Sequence, residues 1–149
     1  CKEQLKDAAD GVMYPAQWEI GVRYSPDAAK KLGIEWFGPT NEEYLKLYKE
    51  VSGGGIPDYH AAEATAAVLH LARAIEVAGS LDSDAVREAF NKIDMMVFFG
   101  RLKIDPATGL QLGHQMVVVQ WQAGEKKIVY PPEAAQAAPI YPADNWYKR

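Results

Sequence analysis

Excess positive charge, paired cysteines, clustered histidines and long apolar runs are all missing from this sequence, and each absence removes a class of function. Sixteen Lys and Arg stand against 20 Asp and Glu, a net charge of −4. No basic stripe therefore offers itself to a phosphate backbone, and no nucleic-acid partner is expected. The single cysteine, Cys1, allows neither an internal disulfide nor a cysteine metal cluster. His60, His70 and His114 lie far apart, without His-x-x-x-His spacing and without an adjacent nucleophile. No catalytic residue, no metal site and no cofactor is expected. No apolar stretch approaches the roughly 20 residues of a membrane span. The first residues lack the charged-then-apolar pattern of a signal peptide. A lipidated Cys1 is disfavoured, because residues 2–9 read as the end of a helix and not as a tether.

What is present describes a folded α/β chain. The 149 residues fit one ordinary domain, and 48% apolar with 24% charged residues is a globular composition. The stretch Ile56–Pro57–Asp58–Tyr59–His60 opens the longest predicted helix. Pro57 is tolerated only before or at a helix start, and Asp58 can accept from the first free backbone N–H groups. From Tyr59 to Ala78 there is neither Pro nor Gly. Ala64, Val68, Leu71 and Ile75 fall on one face, expected to be buried, with Glu63, His70 and Arg73 opposite. Gly79 ends the helix in a left-handed conformation. Tyr59 and His60 place two polar-tipped rings where N–H groups point outward and favour anions. They are candidate ligand contacts; the alternatives are a packed Tyr59 ring and a solvent-facing His60.

Around this helix the other elements come in order. Val12–Met13–Tyr14 reads as a short buried strand stopped by Pro15. Gln17 and Trp18 leave its end, where ligands gather in open α/β sheets. Both are candidate site residues, with a core or hinge-packing ring as the alternative for Trp18. Thr40–Asn41–Glu42–Glu43 forms a capping box before a helix with a Tyr44, Leu47, Tyr48, Val51 stripe. Ser52–Gly53–Gly54–Gly55 is a connector, since no Lys-Ser/Thr comes after it as a phosphate loop requires. A further helix to Lys92 shows Val86, Ala89, Phe90 and Ile93 as its stripe. One strand is expected from Val97 through Gly100 to Ile104. Asp105–Gly109 is a turn lacking the alternating oxygen ligands of a calcium loop. Met116–Trp121 reads as a strand buried on both faces. Lys127–Tyr130 is the last strand, and an Ala- and Pro-rich tail is expected to lie extended.

Three segments carry a family resemblance when taken together: DGVMYPAQW from Asp10, GIPDYHAAEATAAVLHLARAIEVAGSLDSDAVREAF from Gly55, and FFGRLKIDPATGLQLGHQMVVVQWQAGEKKIVYP from Phe98. In order and spacing they resemble the closing part of type I periplasmic solute-binding proteins. The nearest group is the leucine/isoleucine/valine-binding family of ABC importers. The most specific pieces are Ala74–Ser80 and then Asp82, the strand from Phe99–Gly100 to Asp105, and Gln120–Trp121–Gln122 leading to Val129–Tyr130–Pro131.

The resemblance implies part of a two-lobed α/β clamshell with three-layer lobes joined by three crossing segments. It assigns residues 1–16 to a second-lobe strand, 17–104 mainly to first-lobe helices and a crossing strand, 105–130 to the return into the second lobe, and 131–149 to the tail. The front of the family pattern is absent. The chain is therefore expected to be a C-terminal portion that folds only beside the missing N-terminal portion of the same protein or a second copy. By family position Tyr59 or His60 covers a ligand's apolar part, Gln17 hydrogen-bonds it and Trp18 stacks on it. The implied function is extracytoplasmic, periplasmic capture of a small molecule for delivery to the membrane subunits of an ABC importer, without catalysis. That ligand is a branched-chain or other amino acid, or an aromatic or aliphatic acid. One alternative is a ligand-sensing domain of a receptor or regulator with the same fold. The extended C-terminus, with no membrane or DNA-binding segment after it, weighs against that. A small single-domain enzyme is the other alternative, and the nucleophile–base pair it needs is not found.

Overall fold

The computed structural model describes residues 2–142. Cys1, and with it the reading on lipidation, lies outside the described residues, as do residues 143–149 of the expected tail. The elements are α1 (Lys2–Leu5) with a 3-10 turn (Lys6–Ala9), β1 (Met13–Ala16), α2 (Pro26–Lys31), β2 (Glu35–Trp36), α3 (Asn41–Val51), α4 (Tyr59–Ala78), α5 (Ser83–Lys92), β3 (Asp94–Val97), β4 (Gly100–Lys103), β5 (Val117–Gln122) and β6 (Glu125–Tyr130). The fold is mixed α/β, as expected, with strand orders β1-β5-β6 and β2-β3-β4. Two compact units hold these sheets: Cys1–Arg23 with Met116–Arg149, and Tyr24–Gln115. Among the described residues no single helix is long and apolar enough to cross a membrane.

In the first unit β5 is the central strand, antiparallel to both neighbours, with Met13 opposite Gln120 and Val119 opposite Ile128. Val117 and Val119 are fully buried while Val118 is half-buried, and Met116 is exposed just before the strand. β5 is thus less uniformly covered than its apolar run implied. The reading of Val12–Tyr14 as a buried strand stopped by Pro15 is corrected. β1 continues through Pro15 to Ala16, and Val12 and Met13 are exposed. The reason is position: β1 is the edge of its sheet, where a residue without an N–H is tolerated. β5 and β6 meet in a two-residue turn, Ala123–Gly124, with φ of 50° and 73°. Both positive angles match the right-handed twist of the strands. After β6, residues 131–142 form a strap. Gln136 N–H donates to Ile128 O (2.8 Å), and Ile128 N–H donates to Gln136 Oε1 (3.0 Å).

In the second unit β3 pairs in parallel with β2 and antiparallel with β4. The single strand expected from Val97 to Ile104 is instead a hairpin that turns at Phe98–Phe99. Gly100 sits at φ 147°, and a side chain there would meet His114 Nδ1 at 2.6 Å. Met95, Met96, Val97 and Phe98 form the centre of the core, with Tyr44 stacked on Phe98 at 4.1 Å. The capping box at α3 is present, with Thr40 N–H donating to Glu43 Oε2 at 2.8 Å. Its buried side holds Tyr44 and, in part, Leu45 and Tyr48, whereas Leu47 and Val51 are exposed.

α4 has the expected bounds, with Ala61 N–H donating to Asp58 Oδ1 at 3.0 Å and Gly79 at φ 60°. Its buried face is not the one expected, although Glu63 is exposed as expected and Ile75 is half-buried. Ala62, Ala66 and Ala74 are buried and His70 and Arg73 half-buried, while Val68 (66%) and Leu71 (47%) are exposed. Arg73 turns this face inward. Its guanidinium pairs with Glu35 of β2 at 2.8 Å and with Glu76, and lies 5.7 Å from the Phe37 ring centre. The alanines let the helix backbone approach closely, so apolar size did not decide which side packs. After Gly79 the chain bends by 103° into α5. Asp82 caps α5 by accepting from Asp84 and Ala85 N–H, and Val86, Ala89 and Ile93 are buried.

Candidate functional site

In the first unit the site begins where β1 ends. Gln17 is half-buried and Trp18 is 3% exposed. Tyr14, Val119 and Ile128 stand in register across the three strands. Lys126 lies two residues from Ile128, so strand alternation puts it on the same face. Lys126 Nζ donates to Glu19 Oε1 at 2.8 Å and sits 6.0 Å from the Tyr14 ring centre. The Tyr14 hydroxyl is also directed at Glu19 Oε1, at 3.4 Å. Burial, and then the Glu19 carboxylate, raises the Tyr14 pKa; the hydrogen bond to Glu19 raises that of Lys126. The hydroxyl therefore stays neutral and the amine charged.

Beside this trio is a pocket of about 270 Å³ lined by Glu19, Ile20, Gly21, Val119, Lys126, Ile128 and Gln136. Its wall opposite the sheet depends on Gly21. A side chain there would lie 2.2–2.5 Å from the Gln136 amide. Glu19 and Lys126 escaped the sequence reading. Gln17 and Trp18 drew attention as the strand's exit, whereas the partner of Glu19 comes from a strand far along the chain. The one local signal was a carboxylate directly after that exit.

In the second unit the structure brings Tyr59 and His60 together at the start of α4. Their rings stack at 3.8 Å between centres, and Tyr59 is 40% exposed. His60 Nδ1 lies 3.6 Å from Asp58 Oδ2, with both side chains largely exposed, so the pair itself contributes little stability. Asp58 has a lowered pKa, first because its carboxylate accepts the Ala61 N–H and then because of His60. The helix start thus carries a fixed carboxylate and an open aromatic surface.

Farther along α4, His70 shows the strongest perturbation. Its pKa is lowered to about 4, by burial and then by the nearby His114. His70 Nε2 is buried without a hydrogen-bond partner among the described residues. His114 stacks on Phe99 at 4.9 Å. Among the described residues no three His, Cys, Asp or Glu side chains are grouped to hold a metal ion. In sequence comparison, residues 3–126 match a family model described as periplasmic binding protein.

Proposed function

The chain belongs to the periplasmic binding protein family, and from that premise we propose that it captures a small organic acid for uptake by an ABC importer. Family membership implies ligand binding, for transport or sensing, at an extracytoplasmic location. The finer reading is capture of a branched-chain or other amino acid, or of an aromatic or aliphatic acid, in the periplasm, with delivery to importer membrane subunits. The leucine/isoleucine/valine-binding group is the subtype proposed. In this reading the chain is part of a solute-binding protein whose ligand favours one conformation only through contacts that the other lacks.

The observation that carries the proposal is the stacked Tyr59–His60 pair. An exposed double ring beside the Asp58 cap, which already accepts the Ala61 N–H, offers an apolar face that suits the apolar body of a ligand. Gln17 is assigned a hydrogen bond to the ligand. Trp18, at 3% exposure, is assigned an edge contact and not an open stacking face. No chemical step is assigned to these residues.

A thermal-shift and calorimetric panel of leucine, isoleucine, valine, phenylalanine and benzoate tests this. A saturable rise in melting temperature with at least one, and recovery of that ligand unaltered by mass spectrometry, is the expected result. Turnover of any of them, or no response to all of them, overturns it.

A further inference from the structure

We propose that Gly100 seats a single latch for both points at which the chain passes between its two units, so that the two crossings yield together or not at all. The chain enters the second unit between Arg23 and Tyr24 and leaves it between Gln115 and Met116. Tyr24 and His114 therefore stand at opposite ends of that unit's sequence. The fold of the unit brings them to one place. A Cβ at Gly100 would lie 2.6 Å from His114 Nδ1 and 3.7 Å from Tyr24 Cε2. Both rings thus reach the space left open over one glycine.

The seat itself is rigid. Gly100 is buried and pairs with Val97 at the turn of the β3–β4 hairpin. Met95, Met96, Val97 and Phe98 before it are at most 1% exposed. The rings are held against this hairpin. His114 stacks on Phe99 with 4.9 Å between centres and 18° between planes, and Tyr24 is buried. Beyond the rings the chain has no slack. Arg23 precedes Tyr24 directly, Gln115 and Met116 follow His114 directly, and all three are exposed. Within the second unit the two rings are therefore the packed residues nearest each crossing. A shift of either ring passes to its crossing within one or two residues.

Only glycine serves as this seat. At φ 147° the backbone holds an angle that residues with a Cβ rarely adopt, and no Cβ approaches another heavy atom to 2.6 Å. Gly113 guides the second ring in a similar way. A Cβ there would lie 2.9 Å from Lys103 N, while Leu112 N–H donates to Lys103 O at 2.7 Å. Residues 112–114 thus run close along β4 into the latch. Because the rings share one space, displacing one removes a wall on which the other packs, and packed side chains of this kind are energetically coupled. None of the residues assigned to ligand capture belongs to the latch, and its action requires no ligand.

Amide exchange measured by NMR on the full chain tests the proposal. His114→Ala should speed exchange about tenfold at Leu112 and Val117, which flank its own crossing. The same increase is expected at Val22 and Ala29, which flank the other and whose N–H groups donate to Glu19 O and Ser25 O. Exchange should keep its native rate at Ala74 of α4 and Ile128 of β6. Gly100→Ala should give the same pattern; should that variant not fold, Tyr24→Leu replaces it. Tyr24→Leu combined with His114→Ala should add little to either substitution alone, since each opens the same latch. No change at either crossing, faster exchange at one crossing only, a uniform rise along the whole chain, or additive effects of the two substitutions overturns the proposal.

Discussion

The side-chain amide of Gln120 pairs with the backbone of Ile140 in both directions. Nε2 donates to Ile140 O at 2.9 Å, and Oε1 accepts from Ile140 N–H at 2.9 Å. Gln120 is fully buried in β5, so its amide replaces a strand's ladder bonds at the point where the strap crosses the sheet. Gln122 adds a bond to Ala138 O and another to Gln120 Oε1. An amide is one of the few side chains that can present donor and acceptor at once to a backbone N–H and C=O.

Replacing Gln120 by Leu should therefore release the strap. The shape is nearly kept, but both Ile140 groups lose their partners, at a cost of about 1–3 kcal/mol. Urea unfolding should show this loss, and amide exchange should rise at Ile140. Unchanged protection at Ile140 would refute the role of this clasp.

Acid should weaken the fold through His70. Its pKa is lowered to about 4 in the folded chain, against about 6.5 unfolded. The unfolded state then binds the proton more readily between these values. Stability from this group is complete above pH ~6.5 and is lost progressively as pH falls toward ~4. The loss is on the order of 2 kcal/mol after allowing for the ring's partial exposure. Denaturant titrations across this window should show the slope in the native sequence and a shallower one in His70→Gln.

At the β5–β6 turn, Ala123 holds a left-handed backbone at φ 50°. A residue with a Cβ bears a cost there that Asn or Gly reduces. Ala123→Asn should raise stability by about 0.5–1 kcal/mol. Calorimetry would read this as a higher melting temperature, and an unchanged or lower one would contradict the assignment of turn strain.

For the proposed capture function, Tyr59→Ala should weaken binding of the responding ligand by about 1–3 kcal/mol, the usual range for an aromatic anchor. His60→Ala should cost less, because His60 acts mainly by stacking on Tyr59. Calorimetric titration checks both, with circular dichroism confirming the fold. Equal affinity in the two variants and the native protein would remove the ring pair from the site.

Local chemistry was the legible part of this chain. The Thr40 capping box, the Asp58 cap and the Gly79 stop lie within a few residues of their partners, and each holds in the structure. The face of α4 was not legible. Its packing depends on Arg73 meeting Glu35 and on alanines permitting close approach, and neither appears in a count of apolar residues. The Phe98–Phe99 hairpin was missed because Gly100 reads equally well as part of a continuing strand. The Glu19–Lys126 pair depends on contact between residues over a hundred positions apart, and strand order sets that contact.

The sheet of the first unit also imposes an order on synthesis. β1 is made before the strand it pairs with, β5, which comes only after all of Tyr24–Gln115. The second unit is continuous in sequence and has every strand of its own sheet before β5 leaves the ribosome. It can therefore fold while β1 still waits with an open hydrogen-bonding edge. During that interval the apolar Val12–Met13 segment is exposed to other chains, so nascent protein is prone to wrong pairing at β1.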